Sequence, residues 1–446
     1  MNYNTSNAHN NTITQIEFDE LKKNIDDSFL IFNGIIVSII QVGLACLEAG
    51  CIHPKNVTNI LLKNILDLFF CSISYWFVGY GLAYGNGNPY YGIDYYAGVG
   101  MPDDKMAFWF FQFIFAATAA TLISGAVAER CNFIAYIFYS TIISGVTYPI
   151  VAHWVWAPNG WLLNLGYSDF SGAGAVHLLA GTCSFIAALF LGPRTGRFDS
   201  SNPRDFNGHS MPLVATGTLL IITGFLAFNG GSLGHITSPG DGAIVAKSIS
   251  NTITGGSGAA VCILMLSKAG FLGKSRWPFL ISINGILIGM VSVCGAVNDY
   301  SYISSFTIGV IGCLVYVVLQ YLVPLLKVDD PLEATAVHFG GGLWGVIAVP
   351  FFTKGGISNN SSLLKSNLIG AGAIVLWSVI NSVILFGFLK VFDLLRVSEE
   401  KEHIGLDISL HKEQAYPVSI TNINIENDNT NTFSKNGHDN LALNFP

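Results

Sequence analysis

The sequence predicts an all-α polytopic membrane protein with eleven transmembrane helices, arranged as an inverted 5+5 repeat plus a C-terminal helix. Three observations carry that expectation. Of 446 residues, 51% are hydrophobic and 11% are charged, against about 25% charged in an average soluble protein. Mean hydropathy is +0.51. The tripeptide Ala-Val-His occurs at 175–177 and again at 336–338, once in each half of the apolar region.

A hydrocarbon core of about 30 Å takes roughly 20 apolar residues per helix. Segments of that kind run over 28–51, 59–84, 107–128, 131–152, 171–192, 212–229, 244–267, 277–297, 302–326, 334–353 and 366–395. Residues 1–27 are polar and lack the basic start and apolar middle of a signal peptide, so the first apolar segment directs insertion. The expected organisation is therefore a polar extracytoplasmic tail (1–27), a first repeat of helices 1–5 (28–192) and a cytoplasmic connecting loop (193–211). A second repeat of helices 6–10 (212–353), an outer loop with helix 11 (354–395), a cytoplasmic tail (396–417) and a disordered Asn-rich end (418–446) complete the chain.

An odd number of spans puts the two termini on opposite sides. Lys55, Arg130, Arg194, Arg197, Arg204, Lys268, Lys274, Arg276 and Lys327 fall in one set of loops. Only Lys105, Lys354 and Lys365, with Lys22 and Lys23 before the first span, fall in the other. The positive-inside rule then places the N-terminus outside and the C-terminus in the cytoplasm. Sequons at Asn4, Asn10, Asn359 and Asn360 lie on the outer side and are candidate glycosylation sites; the one at Asn56 lies inside. The plasma membrane and an internal acidic vesicle membrane both fit this pattern.

Five helices precede the 193–211 loop and five follow it before the eleventh, so the two sets insert with opposite orientation. A substrate path then lies near the midplane between them. His177 and His338 close the fifth and tenth positions of this scheme, each in an apolar stretch with glycines at 172, 174 and 181 or 340–342. Small residues of this kind let helices approach closely, and an ionisable group at membrane depth is a functional candidate. A lone core histidine is more often a satisfied packing residue, but a symmetric pair points to two imidazoles sharing a hydrogen bond inside a pore. A zinc site needs three or four ligands, and no carboxylate or thiolate cluster accompanies the histidines. The eight cysteines fall in or beside apolar segments without a Cys-x-x-Cys spacing and read as packing residues.

Phe111 and Phe115, four apart, share a helix face. Trp154, Trp156 and Trp161 fall near a membrane interface, where tryptophan is commonly an anchor; the functional alternative is a cation–π site at a pore mouth. Phe225 and Phe228 precede Asn-Gly-Gly-Ser at 229–232. Asp169 opens the fifth span and reads either as a helix N-cap or as a carboxylate that favours a cation near the pore. No basic face suits nucleic acid, and no His-Glu-x-x-His or Gly-x-Ser-x-Gly supports an enzyme.

Several motifs resemble those of the ammonium transporter (Amt/Mep) family, over about residues 28–417. They are Ala-Val-Ala-Glu-Arg (126–130), Asp-Phe-Ser-Gly-Ala-Gly-Ala-Val-His (169–177), Phe-Asn-Gly-Gly-Ser (228–232), Val-Asp-Asp-Pro-Leu-Glu-Ala-Thr-Ala-Val-His (328–338) and Gly-Leu-Asp-Ile-Ser-Leu-His-Lys-Glu-Gln-Ala-Tyr (405–416). The segment 55–67 looks most like the branch that includes plant root transporters. The resemblance implies a homotrimer in the lipid bilayer with one pore per subunit, no cofactor, no metal, and ammonium or ammonia as the cargo, with methylammonium as an analogue. It assigns Phe115, Trp156 and Ser232, with Phe111 nearby, to recruitment of the cation. Phe115 and Phe228 match the stacked gate phenyls, His177 and His338 the twin pore histidines, and Asp169 the buried aspartate needed for transport. Ser409 sits where related tails carry a phosphorylatable threonine. Phe225 and Glu333 stand where some members have Trp and Asp, with little effect expected. Lys412 replaces the glycine usual in the tail motif, which bears on how the tail docks. The alternative to a transporter is a sensor of the same fold, signalling through its tail.

Overall fold

Thr14 starts the described chain with a capping box: its hydroxyl accepts the Glu17 N–H, and the Glu17 carboxylate accepts the Thr14 N–H in return. The helix this launches runs unbroken to Cys51. The computed structural model describes residues 14–199, 201, 206–272, 279–356 and 360–416. Asn4, Asn10, Asn359, Arg204, Lys274, Arg276 and the 418–446 segment lie outside them.

Eleven helical segments follow one another: α1 Gln15–Cys51, α2 Pro54–Tyr84, α3 Asp103–Val127, α4 Phe133–Asn164, α5 Ala173–Leu191, α6 Met211–Gly231, α7 Asp241–Lys268, α8 Phe279–Ser292, α9 Tyr302–Leu325, α10 Thr335–Phe352 and α11 Ser361–Val391. A short helix, α12 (Glu399–Ile404), follows in the tail. Ten are long and apolar enough to cross a bilayer; α8 is apolar but has only 14 described residues. Among the described residues no strand occurs beyond two isolated bridges. The chain is an integral, multi-pass membrane protein.

Several boundaries differ from the sequence expectation, among them the end of α4, at Asn164 rather than 152, and the start of α2, at Pro54 rather than 59. The first helix begins at Gln15, not near 28, because the capping box and the helix-favouring run Glu-Phe-Asp-Glu-Leu-Lys-Lys extend it past the apolar segment. The last begins at Ser361 rather than 366, since its first turn is polar and carried no hydropathy signal. Polar starts elsewhere were readable: Ser210 caps α6 ahead of Pro212, and Ser301 caps α9.

Lipid-facing surfaces are apolar, as at Phe32 and Ile35 of α1, Val318 of α9 and Ile384 of α11. The interior carries the polar groups, among them Gln41, Asn229 and Asn251. Glycines set the two central crossings. On α1 and α6, a Cβ at Gly43 would lie 2.7 Å from the Gly217 carbonyl oxygen, and one at Gly217 2.5 Å from the Gly43 carbonyl oxygen. On α5 and α10, a Cβ at Gly181 would lie 2.0 Å from the Phe339 nitrogen, and one at Gly342 2.4 Å from the Leu178 nitrogen. Each of the latter glycines is four residues after its histidine and meets the residue just after the other histidine. That reciprocity is the signature of an inverted repeat closing on a two-fold pseudo-axis.

Candidate substrate pore

Both pore helices begin with the same device. Asp169 and Asp330 each stand eight residues before a histidine. Asp169 accepts the backbone N–H groups of Gly172, Ala173, Gly174 and Ala175 at 2.8–3.0 Å. Asp330 accepts those of Ala334 and Thr335 at 3.2 and 2.7 Å. A helix end inside a membrane protein leaves donors that hydrocarbon cannot satisfy, and these carboxylates satisfy them. Gly172, at φ +99°, turns the chain into α5. Each histidine then sits in a wide π-type turn, Ala173–Leu178 and Thr335–Phe339, a local distortion that recurs at functional sites.

These turns bring His177 and His338 face to face, ring centroids 5.2 Å apart and planes within 12°. They do not share a hydrogen bond, contrary to the sequence reading. Both nitrogens of His177, and Nδ1 of His338, have no protein partner although buried. His177 is 1% exposed.

Aromatic rings continue the column toward the end of the molecule marked by Trp156. Phe228 lies 5.7 Å from His177 and stacks on Phe115 at 4.1 Å and 17°. Phe115 meets Phe111 at 4.9 Å and the edge of Trp156 at 6.4 Å. The Trp156 indole N–H donates to the Asp169 carbonyl at 2.7 Å, which ties the outermost ring to the cap of α5. Ser232 closes α6: its hydroxyl donates to the Phe228 carbonyl at 2.7 Å, leaving its lone pairs free to accept. The Phe111 ring abuts Gly231 beside it. So Phe111, Phe115, Trp156, Phe228, His177 and His338 form one column, with Ser232 one turn above its second phenyl. Trp154 and Trp161 pack on each other at 5.7 Å, with Trp154 donating to the Tyr90 carbonyl, outside the ring column.

Three residues on this path escaped sequence reading. Phe225, noted only as standing where some family members have Trp, lies 5.5 Å from His177 with the ring planes within 10°. Asp330 was legible in its spacing from His338, which repeats that of Asp169 from His177. Glu48 carried no signal at all, yet it lines the same cavity of about 50 Å³ as both histidines and Phe225. Among the described residues, no three His, Cys, Asp or Glu side chains gather to hold a metal.

Ser409 lies far from the column, in the tail. There Asp407 accepts the N–H groups of Thr58 and Asn59 at 3.0 and 2.8 Å, capping α2. His411 Nε2 bonds the Asn59 side-chain amide oxygen at 3.0 Å, and the Asn56 side chain accepts the Leu406 N–H. Glu402 accepts from Thr195 and pairs with Arg396 at 2.8 Å. Lys412 takes φ +57°, the left-handed conformation for which glycine is better suited. Beneath the tail, Arg194 pairs with Asp329 at 2.8 Å and Glu129 at 2.5 Å. Burial alone would raise Asp329, but Arg194's hydrogen bonds and charge hold it down at about 2. Glu129 is likewise lowered, its burial outweighed by Arg194 and the His53 N–H. Arg130, fully buried, donates to the carbonyls of Gly192 and Asp329 and so joins the ends of α3, α5 and the approach to α10. Asn56, with its amide on Glu129 at 2.9 Å, is buried at this end.

Comparison with known proteins follows the same length of chain. A family model described as Ammonium Transporter Family matches residues 28–416. "Putative ammonium transporter 1" of Caenorhabditis elegans is 40% identical over 431 residues, covering 89% of this chain and 79% of its own. "Ammonium transporter 1 member 3" of Solanum lycopersicum is 33% identical over 433 residues, covering 89% and 94%. Among solved structures, one described as "Sensor Amt Protein" superposes with a TM-score of 0.82 at 30% identity, covering 88% of this chain and 99% of that one.

Proposed function

The chain belongs to the Ammonium Transporter Family, and on that premise we propose that it recruits ammonium at the Trp156 end and conducts ammonia past the twin histidines. The observation that carries this reading is a pair of buried, parallel imidazoles with unpartnered nitrogens behind a closed phenyl stack. Buried polar atoms usually find a hydrogen-bond partner, and a solute passing between the phenyl stack and the cytoplasmic side would supply one to these nitrogens.

Ammonium and potassium are similar in size, so size alone cannot separate them. At the outer mouth, Trp156 and Phe115 hold the cation by its charge over their rings, a contact worth about 2 kcal/mol when desolvated. Ser232 accepts one of its hydrogen bonds. Beyond Phe115 and Phe228 the lumen is mostly apolar, its few polar groups being the histidines, Glu48, Thr118 and Asn284, too few to replace the hydration of a bare ion. Potassium cannot shed its charge. Ammonium can lose a proton, pass as ammonia along His177 and His338, and have the proton travel separately. Asp169 fixes the opening of α5 and the Trp156 indole through its own carbonyl. The N-terminus lies outside and the tail in the cytoplasm, and three copies assemble with one pore each.

Expression in cells lacking their own ammonium uptake, scored by growth on low ammonium and by methylammonium uptake, tests this. Wild type restores growth; His177→Leu and Trp156→Ala lose at least about tenfold in uptake, near 1.4 kcal/mol or more in the limiting barrier. A correctly inserted wild-type chain without uptake overturns transport, leaving sensing through the docked tail as the function.

A further inference from the structure

We propose that Glu48 is the inner proton-transfer group of this pore: it takes the proton handed on by the histidines and returns it to ammonia at the exit. The proposal rests on the transport reading above. Glu48 lies near the C-terminal end of α1 and is 1% exposed. It lines the cavity of about 50 Å³ that His177, His338 and Phe225 also line, enough space for water-sized molecules. Apart from the two histidines, it is the only titratable group on that cavity's wall; Thr118 and Asn284 are polar but do not titrate, and the rest is apolar.

Its surroundings orient the carboxylate without neutralising it. Asn64 donates to one oxygen at 2.8 Å and Ser124 to the other. Among the described residues it has no ion pair. Lys63, the nearest cation on α2, instead donates to the Cys131 carbonyl at 3.0 Å and stands 5.2 Å from the Tyr136 ring. Asp67, a turn further along α2, is held by Thr121 and Cys71. A packing role is poorly served by a carboxylate at this depth, because burying one is costly unless it is paired. A group that must accept and release a proton needs what Glu48 has: fixed geometry, neutral donors and a face on the lumen.

The step balances without redox. An N–H bond of ammonium breaks at the histidines, giving ammonia and an imidazolium. The proton passes to the Glu48 carboxylate, forming a carboxylic acid and restoring neutral imidazole. Ammonia crosses the lumen and takes that proton, so an O–H bond breaks and an N–H bond forms. Ammonium leaves, the carboxylate is regenerated, and one positive charge has crossed per cycle.

The full chain, purified into liposomes, is given an inward ammonium chloride gradient, with potassium chloride and protein-free vesicles as controls. Transmembrane current and lumenal pH are read together. Wild type is expected to carry an ammonium-dependent current. Glu48→Gln, which keeps an acceptor for Asn64 and a partner for Ser124, should lose at least about tenfold in current and, passing ammonia without its proton, should alkalinise the lumen above both the wild-type and the protein-free level. Glu48→Asp should recover part of the current. Wild type with alkalinisation but no current, Glu48→Gln with wild-type current, or Glu48→Gln losing both signals each overturns the proposal while leaving ammonium transport standing. Wild type with neither signal overturns the transport reading itself.

Discussion

The helices α5 and α10 are the same device built twice, and they are dressed differently. Each has an aspartate eight residues before its histidine, a wide turn carrying that histidine, and a glycine four residues later that lies on the partner's backbone. Around the start of α5 the neighbours are aromatic: Trp156 donates to Asp169 itself, and Phe115 follows. Around the start of α10 they are charged: Arg130 donates to the Asp329 carbonyl at 2.6 Å, and Arg194 grips its carboxylate. The repeat frames the column of rings, and its two ends are unlike: aromatic side chains cluster at one, and a polar lattice carrying the tail stands at the other.

The sharpest break of that comparison is to remove each aspartate. Asp169→Ala strips the acceptor from four buried N–H groups, and Asp330→Ala from two. A buried donor left unmet costs about 1–3 kcal/mol. The second site also borders a cavity of about 440 Å³ lined by Arg194 and Glu333, so water can replace part of what is lost. Asp169→Ala should therefore abolish uptake and lower the melting temperature of the purified protein well below that of Asp330→Ala. Equal losses would show that the two caps are interchangeable and that the dressing does not matter.

Acid should separate the two ends next. Asp329 has its folded pKa depressed to about 2 from an ordinary 3.8. A depressed carboxylate contributes stability that is complete above its unfolded pKa and lost as pH falls through its folded one. At about 1.4 kcal/mol per unit, the contribution is on the order of 2 kcal/mol, lost between about pH 4 and pH 2. Amide exchange in residues 398–411, which rest on the Arg194–Thr195 turn through Glu402, should accelerate over that window. Arg194→Gln should bring the acceleration on at higher pH. Exchange that ignores both acid and the substitution would separate the tail from the lattice beneath it.

Much of this was legible in the chain because lipid imposes simple rules. Spans declared themselves by apolar length, the repeat by two Ala-Val-His tripeptides in oppositely inserted helices, and the shared face of Phe111 and Phe115 by helical spacing, while the pairing of Phe115 with Phe228 came from the family resemblance. What escaped did so for physical reasons. The first helix starts early because a capping box, not hydropathy, sets its end. Glu48 was hidden because one acid in an apolar run looks the same whether it faces a lumen or a neighbouring helix; only the packing of α1 against α3 and α6 decides. The histidine pair was found, but not its bonding: the two rings come within 5.2 Å, yet neither nitrogen of His177 has a hydrogen-bond partner.

The smallest effect belongs to Ser409, whose hydroxyl reaches the Lys401 carbonyl only at 3.5 Å. Ser409→Ala should thus leave uptake within about twofold of wild type, as expected for a weak bond at the surface. A phosphate is a different perturbation, adding nearly two negative charges two residues from Asp407. The N–H groups of α2 that would welcome an anion are already taken by Asp407, and Glu413 lies close by in sequence. Added charge at 409 therefore meets repulsion rather than a cap. Ser409→Asp should speed amide exchange across 405–411 and change uptake by roughly two- to fivefold, about 0.4–1 kcal/mol at RT near 0.6 kcal/mol. Potassium exclusion should stay intact, because the aromatic mouth is untouched. Altered exchange with unchanged uptake would mean that the tail docks without controlling the pore. Altered ion selectivity would mean that the two ends are coupled more tightly than their separate dressing implies.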